Sequence, residues 1–85
     1  MTANSPNIQA RLILCFQDMF GNALPEDATQ ADMENVSGWD SMATWTLIML
    51  IEEKIGVKVG LDQIPKLTSF FAFEAYISRK LAVAK

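Results

Sequence analysis

Asp40 and Ser41 stand side by side in the stretch GWDSMATW, with Trp39 before them and Trp45 after. Together they offer a hydroxyl next to a carboxylate, but a serine becomes a nucleophile only when a base takes its proton. The commonest base is missing, because the 85-residue chain contains no histidine. The single cysteine, Cys15, has no Cys–His partner for the same reason and no second thiol for an internal disulfide. A typical zinc site, built from histidines and several cysteines, is not expected from one cysteine and no histidine. General acid–base work would fall to carboxylates, lysines or Tyr76, and nothing in the sequence marks one of them as activated. The chain therefore reads as no enzyme in its own right, with no catalytic residue and no metal ligand assigned.

Ser41 keeps two readings. As a helix cap, it or Asp40 would accept from orphan N–H groups at the start of the following helix. As an acceptor modified by another enzyme, it would carry a phosphate ester at that helix start, where free N–H groups and the helix dipole favour negative charge.

These residues have to be positioned by the surrounding elements. The spacing predicts a first helix over Pro6–Phe20, with Ser5 as N-cap, Pro6 at a position where a missing N–H costs nothing, and Gly21 as stop. Ile8, Leu12, Cys15, Phe16 and Met19 form its apolar stripe, which makes Cys15 a buried structural thiol. Residues 22–39 lack periodicity and read as a long loop pinned to the core by Leu24, Met33 and Val36. A second helix is expected over Ser41–Ile55, ended by Gly56. GVKVG is too short for a strand, and a brief helical turn is expected around Leu61–Ile64, stopped by Pro65. A last helix starts after Thr68 or Ser69, with Phe70, Phe73, Ile77 and Leu81 along one face and Phe71 and Tyr76 flanking it. Three longer helices and a short one make a small all-α four-helix bundle.

Advancing about 100° per residue along the second helix puts Thr44, Leu47, Ile48, Ile51 and Ile55 in one sector, an ordinary core stripe. The opposite sector holds Met42, Trp45, Thr46, Met49, Glu52 and Glu53. Trp45 and Met49 either pack against the long loop or form a docking surface. Methionines adapt to partners, an aromatic ring supplies anchor area, and a rim of acids selects a basic partner.

Half of the residues (51%) are hydrophobic and 20% are charged, which excludes a disordered chain. The length suits one domain with one core, expected over 6–85 behind a flexible tail at 1–5. The initial Met leads to the expectation of a complete small protein, and no secretory pattern is read in MTANSPNIQ. The longest uncharged apolar stretch, Met42–Ile51, is about half of the ~20 residues that span a bilayer, so no membrane span is expected and the chain reads as a soluble, cytoplasmic monomer. Residues 1–53 carry eight acids and one base, a net −7, against +4 for residues 54–85. The acidic first part argues against nucleic acid, and the scattered bases of the second read as a solvated surface.

WDSMATWTLIMLIEEKIGVKV followed by IPKLTSFFAFEAYISRKL resembles the acyl carrier protein family over roughly residues 8–82. The likeness lies in the order of parts: helix, long loop, Asp-Ser-large apolar, amphipathic helix ending in Glu-Glu, short turn, then LTSF into a last helix. It implies a four-helix bundle without catalysis of its own. The motif serine, here Ser41, receives 4′-phosphopantetheine from coenzyme A through a separate, magnesium-dependent phosphopantetheinyl transferase, and Asp40 helps that enzyme recognise the site. The arm's thiol carries acyl groups as thioesters for fatty-acid, polyketide or other specialised biosynthesis. Partner enzymes such as a ligase, acyltransferase or ketosynthase dock on the second helix. Met42, Trp45 and Met49 match the family's apolar docking positions, and Glu52 and Glu53 its acidic ones. Leu47, Ile51, Ile64 and Phe70 are the residues that would line an acyl pocket.

The chain departs from that pattern in several places. Met42 replaces the usual leucine, Ala43 and Thr46 stand where carriers of primary fatty-acid synthesis have acids, and the C-terminal part is basic. Trp39 before Asp-Ser resembles a subset of free-standing carriers, which points to a dedicated carrier of a specialised pathway. Trp39 itself reads only as a loop anchor. An aminoacyl or peptidyl carrier stays open as an alternative, although SGWDS lacks the glycine pair those domains more often have. So does an unmodified helical interaction module, against which the intact Asp-Ser speaks.

Overall fold

Gly38 and Gly56 bracket the segment on which the molecule is organised. Both have positive φ, 89° and 84°, a region that side-chain-bearing residues rarely adopt. Between them, in a computed structural model that describes residues 4–83, lies the second helix. The α-helices are α1 (Asn4–Phe20), α2 (Ser41–Lys54) and α3 (Phe70–Val83), and a short 3-10 helix, Leu61–Lys66, precedes α3. The described residues form a small all-α four-helix bundle, three longer helices and one short, with a long loop between the first and second. No strand forms among the described residues, only an isolated bridge between Asp32 and Ser69. None of the described helices is long and apolar enough to cross a membrane.

The core follows the expected stripes. Leu12, Cys15 and Phe16 of α1 meet Leu47, Ile48 and Ile51 of α2 and Phe70, Phe73 and Ile77 of α3, all essentially without exposure. Phe16 is the hub, with ring centroids 5.0 Å from Phe70, 5.4 Å from Trp39 and 5.6 Å from Phe73, within the range of favourable aromatic pairs. Burial pushes the Cys15 thiol above its ordinary pKa, with the nearby Lys54 charge pulling it partly back, so the group stays protonated and inert at neutral pH. Val57 and Val59 are buried while Lys58 between them is exposed, so GVKVG alternates like a strand without pairing as one.

Four expectations change. The first helix begins at Asn4, so Ser5 sits inside the first turn instead of capping it. Pro6 is tolerated there because the first four N–H groups of a helix have no carbonyl to reach. Residues 1–3 of the expected tail lie outside the described residues, and Asn4 and Ser5 are already helical. The short helix runs through Pro65 to Lys66, since proline removes only one donor from a single 3-10 segment and the Leu67 N–H still reaches the Gln63 and Ile64 carbonyls. Leu81 is exposed, as the last turn of α3 outruns the packing that seals Phe70, Phe73 and Ile77.

The loop is more ordered than its lack of periodicity implies. Asp32 accepts at its carboxylate from the Glu34 and Asn35 N–H groups, both at 2.8 Å, an Asx-type turn. From that turn the Met33 N–H donates to the Thr68 carbonyl, and the Phe70 N–H donates to Ala31, which stitches the loop to the start of α3. Val36 is buried as expected, while Leu24 and Met33 are only partly buried and Ala31 is a further pin.

Candidate functional site at the start of the second helix

The Trp39 N–H donates to the Val36 carbonyl at 3.2 Å, closing a turn whose third residue is Gly38. Positive φ at that position is what a type II turn requires. The turn delivers Trp39 into the core, where it is 4% exposed and lies 5.4 Å from Phe16 and from Phe20 and 6.3 Å from Phe73. A buried indole needs an acceptor for its N–H. Trp39 Nε1 finds it in Thr44 Oγ1 at 2.8 Å, on the first turn of α2.

Immediately after this anchor the helix begins. Asp40, in an extended conformation, is its N-cap: the carboxylate accepts from the Ala43 N–H at 2.9 Å and the backbone carbonyl from the Thr44 N–H at 3.0 Å. The capping task thus falls to Asp40, and Ser41 is the first helical residue with an exposed side chain. The Ser41 and Met42 amides belong to the set that no helix can satisfy internally, so this end carries the positive pole of α2.

The two faces of α2 divide as the helical wheel predicts. Thr44, Leu47, Ile48 and Ile51 are buried, Ile55 is half-buried, and Ala43 joins them. On the other side Met42 is 65% exposed, Trp45 43% and Met49 59%, beside exposed Thr46, Glu52 and Glu53. Trp45 and Met49 are therefore not covered by the loop. The far end closes where the Gly56 N–H returns to the Ile51 and Glu52 carbonyls, and Lys54 pairs with Asp18 of α1 at 3.5 Å.

The four pocket residues do not gather around an opening. Leu47, Ile51 and Phe70 are sealed in the core, and Ile64 packs against it half-buried. A groove does open on the surface elsewhere, lined by Asp32, Met33, Glu34, Thr68 and Ser69, on the loop and at the start of α3. There Ser69 caps α3, accepting from the Ala72 N–H at 3.0 Å, so of the two expected caps Ser69 is the one used.

Sequence reasoning missed the partnership of Trp39 with Thr44. Its one signal was Thr44 itself, the only polar residue in the buried stripe of α2, which had to find a partner inside the core.

Protein-family models, characterised proteins and solved structures were each compared with the chain, and none of the three comparisons finds a match.

Proposed function

We propose that the protein is a carrier: Ser41 is modified with 4′-phosphopantetheine by a separate transferase, and α2 offers the surface on which client enzymes dock. The observation that carries this reading is the division of labour at the helix start. Asp40 does the capping, which leaves the Ser41 hydroxyl exposed and without a structural task next to an exposed face of Met42, Trp45 and Met49. The residues present fit the group, because a phosphodiester at Ser41 meets the amide-rich positive end of α2.

In the attachment step Ser41 Oγ forms a bond to the β-phosphorus of coenzyme A. The bond from that phosphorus to the oxygen bridging the two phosphates breaks, and 3′-phosphoadenosine 5′-phosphate departs. The hydroxyl proton passes to a base of the transferase, as this chain holds no histidine and the neighbouring Asp40 carboxylate is engaged in capping α2. Once attached, the arm supplies a thiol that holds acyl groups as thioesters. Glu52 and Glu53 at the rim of the docking face favour basic partners, and the methionines let one face serve several of them. Ala43 is buried and Thr46 uncharged where more acidic carriers have acids, so the negative charge of the face is concentrated at its C-terminal end. That fits a dedicated carrier of a specialised pathway.

The test is incubation of the protein with coenzyme A, magnesium and a broad-specificity phosphopantetheinyl transferase. Mass spectrometry is expected to show one phosphopantetheine on the wild type and none on Ser41→Ala. A wild type left unmodified under conditions that modify a control carrier rejects the proposal. If Ser41→Ala keeps all partner-dependent activity, an unmodified interaction module replaces it. Competing loading with acyl and aminoacyl groups separates an acyl carrier from an aminoacyl or peptidyl one.

A further inference from the structure

Trp39 and Thr44 form a closed bracket around Asp40 and Ser41. The indole is fixed on one side by Phe16 and Phe20 of α1 and Phe73 of α3, and its N–H reaches Thr44 Oγ1 at 2.8 Å. Thr44 in turn donates its backbone N–H to the Asp40 carbonyl at 3.0 Å. Both side chains are buried, 4% and 0% exposed, so water does not compete for the bond between them.

Core packing alone does not call for this arrangement. Valine matches threonine in shape, and replacing both partners of a buried hydrogen bond by apolar groups costs little beyond the volume lost, here that of the indole's second ring when phenylalanine stands at position 39. A directional bond does what apolar packing does not: it fixes the rotation of the first turn of α2 relative to α1 and α3. The first turn carries Ser41. We infer that Trp39 is a positioning residue for Ser41, acting through Thr44 to hold the serine in the orientation a transferase engages. The inference rests on the carrier reading above and deepens it. It also gives Trp39 a task beyond anchoring the loop.

The experiment measures kcat and KM for phosphopantetheine transfer from coenzyme A to the carrier, using the same broad-specificity transferase and varying the carrier concentration. The variants are the double change Trp39→Phe with Thr44→Val, which removes both hydrogen-bonding groups and leaves no orphan, and the singles Thr44→Val and Thr44→Ser. The double variant is expected to fold with a moderately lowered midpoint, from the space the smaller ring leaves. Assayed well below that midpoint, it is expected to raise the KM for carrier about fivefold to tenfold, the scale of one hydrogen bond, with kcat little changed. Thr44→Ser, which keeps the acceptor, is expected to stay close to wild type. Amide exchange at Ala43, held by the Asp40 cap, is expected to quicken in the double variant and not in Thr44→Ser. If the double variant fails to fold, the comparison of Thr44→Val with Thr44→Ser decides the same point. A folded double variant with wild-type KM and kcat overturns the inference and leaves the carrier reading standing. A wild type that takes no phosphopantetheine overturns the carrier reading and the inference with it.

Discussion

Trp39 and Trp45 bracket the same Asp-Ser pair, yet Trp39 is sealed among Phe16, Phe20 and Phe73 while Trp45 stands 43% exposed on the outer face of α2. Composition does not separate them; backbone geometry does. Gly38 turns Trp39 inward before the helix begins, and the helical advance from Ser41 swings Trp45 to the side opposite Leu47 and Ile51. The buried indole has its N–H satisfied by Thr44 and belongs to the fold. The exposed one lies in line with Met42 and Met49, where a flat aromatic ring between two adaptable side chains suits a partner better than it suits water. Within a few residues the chain thus separates what holds Ser41 from what surrounds it.

The strongest way to break the comparison is to truncate the inner ring. Trp39→Ala is expected to cost about 3–5 kcal/mol, because it leaves a cavity under three aromatic neighbours and an unpaired hydroxyl on Thr44. For a domain of this size that is a large share of the total stability. Denaturant unfolding followed by circular dichroism should show a midpoint far below wild type, or a chain largely unfolded in buffer. A wild-type midpoint would mean that the loop end holds α2 without Trp39.

Between the two rings lies Asp40, where a smaller effect is expected. Asp40→Ala removes the carboxylate that accepts from the Ala43 N–H and should cost about 1 kcal/mol, as the loss of an N-cap does. Asp40→Asn keeps a capping oxygen and should restore most of that stability. The two substitutions divide capping from recognition. If the charge of Asp40 is read by the transferase, Asn recovers the melting midpoint and still loads slowly. If Asp40 is a cap and nothing more, Asn loads like wild type.

What could be read from the sequence depended on whether a signal was local. The limits of α2 were legible at both ends because Asp40 and Gly56 are chemically marked for their places, an N-cap acid and a residue free to take positive φ. Its two faces were legible from period alone. The start of α1 and the passage of the short helix through Pro65 were not, since proline is a stop signal only where its missing donor matters, and in a first turn or a single 3-10 segment it scarcely does. Leu81 fits the stripe of α3 perfectly well, yet period cannot say how far the neighbouring elements reach along it. The role of Trp39 was out of reach for a different reason. It depends on α1, α3 and the first turn of α2 converging on one ring, a contact between segments far apart in sequence. The loop over residues 22–39 shows the same limit, as its Asx turn at Asp32 is local but its stitching to Thr68 and Phe70 is not.

The smallest expected effect on stability sharpens the comparison most. Trp45→Ala should leave the unfolding midpoint within about 0.5 kcal/mol of wild type, because the exposed side of a helix has little packing to lose and alanine is the better helix former. The same change should weaken an interaction that uses the outer face by about 2 kcal/mol, some thirtyfold, if the ring is a central anchor of it. On the proposed carrier reading, the transferase is a convenient probe: its KM for the protein is measured for Trp45→Ala against Met49→Ala and Glu52→Lys, with unfolding midpoints recorded in parallel. A large rise for Trp45, a smaller one for Met49 and a salt-dependent one for Glu52 would describe an apolar anchor with a charged rim. If Trp45→Ala instead lowers the midpoint as a core substitution does, the ring belongs to the fold after all and the two tryptophans differ only in degree. If it changes neither stability nor KM, that transferase does not use the outer face, and on the proposed reading its occupant has to be sought among enzymes that would act on the loaded protein.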